Sequence, residues 1–121
     1  MALVMAAAVS AANAQTESQV WDEIVRQGLP CPKVVLAQSR HETGNYTSRL
    51  CRGKKNLFGI KHGRRYAAYG RWQDSVTDYK KRISARYCGG HRDHAAYFAF
   101  LKRIGYAADK QYVDKLKRYI K

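Results

Sequence analysis

One carboxylate stands apart from the others in this 121-residue chain. Glu42 follows an apolar helical stretch, Val34 to Ala37, and precedes Gly44, a residue suited to the position just past a helix end. A carboxyl in the last helical turn faces the negative end of the helix dipole, which favours its protonated form. Partial burial adds to that bias. A carboxyl still protonated near neutral pH can give its proton to a leaving group as a general acid. Arg40, His41 and the basic loop that follows pull the other way, and taken alone Glu42 reads as an ordinary surface glutamate.

The surroundings are unusual in charge. The chain carries 23 Lys plus Arg against 9 Asp plus Glu, a net charge of +14. The three bases before residue 49 are outnumbered by Glu17, Asp22, Glu23 and Glu42, so the excess lies in residues 49–121. From Thr43 to Gln73 there is no acid, while Arg49, Arg52, Lys54, Lys55, Lys61, Arg64, Arg65 and Arg71 all fall there. Such a field draws polyanions: nucleic acid, anionic lipid or an acidic wall polymer. The plainer alternative, a solvated basic surface, suits helical runs such as Lys80-Lys81-Arg82 better than the loop cluster.

Other constellations are weaker. His91 and His94 stand one helical turn apart, but spacing supplies no third metal ligand, so no metal site is expected. Cys31, Cys51 and Cys88 fit no zinc pattern, and one disulfide with one free thiol is the simplest arrangement. No apolar run reaches the length of a membrane span.

The elements that must position these residues read mainly as helix in one domain. Met1–Val9 is apolar, and Ala12-Asn13-Ala14 fits a small-x-small cleavage pattern, so residues 1–14 read as an export signal and 15–121 as the domain. Thr16 and Gln19 form a capping-box pair before Val20, Trp21, Ile24 and Val25. Pro32 opens a second helix that runs to Thr43, with Val34, Val35, Leu36 and Ala37 inward. Residues 43–56 read as loop. Alternation and aromatics around His62-Gly63 suggest a short hairpin or irregular insertion. Asp74 or Ser75 caps a third helix, Asp93 a fourth with Tyr97, Phe98, Leu101 and Ile104 inward, and Asp109 a fifth with Tyr112, Val113, Leu116 and Ile120.

Four strings in order then acquire meaning. They are Leu36-Ala37-Gln38 with Glu42-Thr43-Gly44; Asn56-Leu57-Phe58-Gly59-Ile60-Lys61; Trp72-Gln73-Asp74-Ser75; and Gly105-Tyr106-Ala107-Ala108-Asp109 with Tyr112. Together they resemble the bacterial glucosaminidase family that includes flagellar and autolytic peptidoglycan hydrolases. The resemblance covers roughly residues 18–121. It implies a lysozyme-like, mainly helical fold and hydrolysis of the β-1,4 bond between N-acetylglucosamine and N-acetylmuramic acid, with no cofactor. Glu42 matches the family's catalytic acid, and Tyr106 a tyrosine placed near the scissile sugar. Asn56, Phe58, Gly59 and Lys61 match the strand beside the cleft, and Tyr46, where many relatives carry Trp-Gly, can still stack on a sugar.

One departure bears on mechanism. Relatives often supply a second carboxylate from a longer β-insertion, and here the first acid after Glu42 is Asp74, at a helix start. The reading favoured is therefore substrate assistance, in which the sugar's own acetamido oxygen attacks the anomeric carbon. A water held by Tyr106 or Asn56, and a lytic transglycosylase or muramidase on the same fold, are the alternatives, along with a non-catalytic cationic wall or nucleic-acid binding module. The expected partner is the peptidoglycan glycan strand rather than a specific nucleic acid, met by an exported monomer.

Overall fold

The computed structural model describes residues 15–120. The elements are α1 (Glu17–Arg26), α2 (Pro32–Thr43), α3 (Arg49–Lys54), β1 (Lys61–His62), β2 (Arg65–Tyr66), α4 (Trp72–Arg82), a 3-10 turn (Ser84–Arg86), α5 (His94–Arg103) and α6 (Tyr112–Lys117). The architecture is mainly α, with one two-stranded antiparallel sheet. The export signal expected at residues 1–14 lies outside the described residues.

Local chemistry sets the helix ends. Thr16 Oγ1 accepts from Gln19 N at 3.2 Å and Gln19 Oε1 accepts from Thr16 N at 2.9 Å, the reciprocal cap of α1. Pro32 opens α2, where its missing N–H costs nothing. Gly44, with φ +56°, closes it in the left-handed conformation. Asp93 Oδ1 caps α5 by accepting from Ala96 N at 3.0 Å.

α2 is the central element, packing against both α1 and α6, while α4 packs against α1. The core joins Val20 and Ile24 of α1, Val34, Val35 and Ala37 of α2, Val76 and Tyr79 of α4, Tyr97, Phe100 and Leu101 of α5, and Leu116 of α6. Leu57 and Phe58 bring the segment after α3 into the same core. Among the described residues no helix is long and apolar enough to cross a membrane.

Several sequence expectations are corrected. The stretch 43–56 is not all loop: Ser48 Oγ accepts from Cys51 N at 3.2 Å and starts α3, which buries only Cys51. The next helix, α4, begins at Trp72, three residues earlier than an Asp74 cap allows. Asp74 instead lies inside its first turn and pairs with Arg71 at 3.3 Å, and the Ser75 hydroxyl donates to Trp72 O at 2.7 Å. Val25 faces outward at 50% exposure, Leu36 is half-buried, and on α5 Phe100 is fully buried where Phe98 was expected inward. No disulfide forms: Cys31 and Cys51 are buried thiols, and Cys88 is exposed.

Candidate active site

Glu42 sits in the last turn of α2, where the chain makes a tight exit. Gly44, Asn45 and Tyr46 are successive left-handed residues, with φ +56°, +58° and +69°. The Thr43 hydroxyl donates to Ser39 O at 2.6 Å and accepts from Tyr46 N at 2.8 Å, which stabilises that exit. Tyr46 folds back so that its hydroxyl lies 2.8 Å from Ser39 Oγ.

The segment Asn56–Ile60 passes over the carboxyl. Gly59 has φ +65°, and a Cβ built there would lie 3.0 Å from Glu42 Oε2. Glycine is therefore required twice, for backbone conformation and for closeness. Asn56 holds the segment in shape. Its Nδ2 donates to Ile60 O at 2.9 Å and Ala67 O at 3.0 Å, and its Oδ1 accepts from Phe58 N at 3.3 Å and Ile60 N at 3.1 Å.

Two phenols complete the surroundings. Tyr112 stands near the Glu42 carboxyl, where its hydroxyl favours the charged form. The Tyr106 hydroxyl donates to Phe58 O at 2.9 Å, and its ring stacks on Tyr112 with centroids 5.7 Å apart. Burial pushes the Glu42 carboxyl above the ordinary range, and the nearby Tyr112 hydroxyl only partly offsets this. Burial likewise raises Tyr106 and Tyr112, helped by the carboxylate beside them, so both phenols stay protonated.

The neighbouring cations are committed elsewhere. Arg40 donates to Asn45 Oδ1 at 3.0 Å, reaches Glu17 at 3.4 Å and lies over the Tyr119 ring. His41 turns edge-on to Tyr112 and Tyr119. The pull on Glu42 expected from these two residues is therefore weak.

The structure brings Glu42, Gly59, Tyr106 and Phe58 together around one point, but in unequal roles. Asn56 and Phe58, expected to touch sugar, are 0% and 1% exposed. Asn56 has both polar atoms engaged by backbone, and the Phe58 ring packs on Tyr79 at 4.5 Å, so both side chains frame the loop. Lys61 is exposed on β1, its Nζ 4.9 Å from the centre of the Tyr66 ring. Tyr46 is half-buried, and burial raises its hydroxyl to about 12.

Three residues were missed as site components. Tyr112 stands near the carboxylate as well as Tyr106; both lie in one C-terminal string, and sequence order does not rank them. Gln38 lies four residues before Glu42 on the same helix face, a spacing that could have drawn notice. Asp78 of α4 accepts from Tyr69 at 2.6 Å and Arg82 at 2.8 Å, and lies 2.9 Å from His62 Nε2, tying the hairpin to α4. Burial works to raise its carboxyl, and these three partners outweigh that and hold it below the ordinary range. No cluster of three metal-ligating side chains exists among the described residues.

One part-buried carboxyl shifted toward its acid form thus stands beside two protonated phenols at the end of α2. The family model for glucosaminidase, mannosyl-glycoprotein endo-beta-N-acetylglucosaminidase, matches residues 9–121, and the chain belongs to that family. It is thus a domain of glycoside-hydrolase type. No curated protein and no solved structure matches it.

Proposed function

We infer that this domain cleaves the β-1,4 bond between N-acetylglucosamine and N-acetylmuramic acid in peptidoglycan, with Glu42 as general acid. The observation that carries this reading is the Glu42 carboxyl: half-buried, shifted toward its acid form, and met by a phenol rather than a cation. Family membership supports the substrate class.

Substrate assistance fits the acid-free segment between Thr43 and Gln73. Glu42 protonates the glycosidic oxygen as the anomeric C–O bond breaks. The acetamido carbonyl oxygen of the same sugar bonds to the anomeric carbon, giving a cyclic oxazolinium. Water then opens that ring and returns a proton to the Glu42 carboxylate, so the enzyme ends as it began. Of the other carboxylates, Asp74 pairs with Arg71 and Asp78 with three donors, which leaves both poorly suited to attack.

In this reading Tyr46 and Lys61 meet the glycan, Gly59 gives it access to the carboxyl, and Tyr106 fixes the loop through Phe58 O. The domain works as an exported monomer without a cofactor, and its basic surface faces the carboxylates of the wall polymer.

Mass spectrometry of digested peptidoglycan tests the reading. Reducing-end N-acetylglucosamine is expected, together with retention at the anomeric carbon and binding of a thiazoline analogue. Reducing-end N-acetylmuramic acid or an anhydro-muramic end would contradict the bond assignment, and inversion would contradict substrate assistance.

A further inference from the structure

The hairpin beside the site is held by few bonds. β1 and β2 pair over two residues each, Lys61 opposite Tyr66 and His62 opposite Arg65. Every residue from 61 to 66 is exposed, and a ladder this short is not stable by itself. Among the described residues, one side-chain bond joins this tip to the rest of the domain. His62 Nε2 lies 2.9 Å from Asp78 Oδ2 on α4.

Asp78 is set up for that bond. Its side chain is 17% exposed. The Tyr69 hydroxyl donates to the same oxygen at 2.6 Å, and Arg82, one turn along α4, donates to Oδ1 at 2.8 Å. A guanidinium keeps its proton, and the ionised carboxylate beside it can only accept. The hydrogen of the third bond therefore sits on His62 Nε2. The acceptor is fixed from two sides before the hairpin tip meets it.

Pairing also sets what the tip presents. Successive side chains on a strand point to opposite faces. His62 turns to α4, so Lys61 and its cross-strand partner Tyr66 share the other face. Lys61 Nζ stands 4.9 Å from the centre of the Tyr66 ring, and Tyr66 is 45% exposed. Lys61 follows Gly59 by two residues, which keeps their Cα atoms within about 7 Å. Gly59 is the residue against the Glu42 carboxyl. An aromatic face beside an ammonium suits a sugar ring with a carboxylate nearby, which is the chemistry of a muramyl unit and its peptide.

We infer that His62 and Asp78 form a positioning pair: their bond docks the hairpin on α4 and holds the Lys61–Tyr66 face where a glycan seated at Glu42 meets it. Neither residue touches the reacting atoms. Without the bond the tip samples positions in which that face is out of reach, and apparent affinity falls with the fraction still docked.

The inference rests on glycan cleavage at Glu42, and the experiment separates the two. Turnover of soluble peptidoglycan fragments and amide nitrogen-15 order parameters at residues 61–66 are measured for wild type, His62→Ala, His62→Gln, Tyr66→Ala and the double variant His62→Ala with Tyr66→Ala. His62 is exposed, so its variants should fold with the wild-type melting temperature nearly kept. His62→Ala should raise KM about fivefold, with kcat changed less than about twofold, and lower the order parameters of the tip. His62→Gln places an N–H donor where Nε2 stood and should bring KM back to within about twofold of wild type. The double variant should raise KM no further than Tyr66→Ala alone, because the face that the bond positions is already gone. Unchanged KM in His62→Ala would overturn the inference, whether or not the tip loosens. So would a KM that rises equally in His62→Ala and His62→Gln. Full turnover by Glu42→Gln would overturn the assignment of the acid instead, and the KM comparison would still decide the role of the hairpin bond.

Discussion

Glu42 and Gly59 form one unit, since the carboxyl occupies the space a side chain at 59 would need. Gly59→Ala should cost about 1 kcal/mol for the left-handed backbone and displace the carboxyl as well. Its activity loss should therefore exceed anything its urea midpoint explains. Glu42 also gives a pH signature. Its native carboxyl titrates above its unfolded value, so its contribution to stability is complete below the ordinary carboxylate range. That contribution is lost as pH rises through the raised value. Glu42→Gln should accordingly melt higher than wild type at pH 7, and the gap should close near pH 4. A gap that is constant across that range would contradict a half-buried, raised carboxyl.

The elements show what the sequence could and could not reveal. Helix ends were legible because capping is local: Thr16 with Gln19, Pro32, Gly44 and Asp93 each act within a few residues. Helix α3 was not, because six residues with one buried position carry no apolar period. The role of Asp78 was hidden for another reason, its hairpin partner His62 being 16 residues away. Glu42 itself was legible only through the ordered strings around it. The burial of Asn56 and Phe58 was not, since a polar and an apolar residue beside a cleft look alike whether they face in or out. Asn56→Ala removes four bonds to buried backbone groups and should lower the free energy of unfolding by about 3 kcal/mol, read by urea denaturation. A loss below about 1 kcal/mol would mean the loop does not depend on it.

At the scale of the whole molecule, charge and thiols make separate claims. Arg49, Arg52, Lys54, Lys55, Lys61, Arg64 and Arg65 are all exposed, so the acid-free stretch is a basic surface beside the site. Raising salt should increase KM for anionic peptidoglycan and leave turnover of a short neutral chitooligosaccharide nearly unchanged. Equal salt effects on both would remove the surface from substrate capture. The thiols report on the fold. One per chain, Cys88, should react with a thiol reagent in the native protein, and all three in denaturant. The central claim, that a single half-buried carboxylic acid drives glycan cleavage, is tested most directly by clearing of a peptidoglycan suspension at equal concentrations of wild type and Glu42→Gln. The wild type should clear it and the variant should be slower by at least about a hundredfold, the usual contribution of a general acid. Equal clearing by the two proteins would contradict the claim.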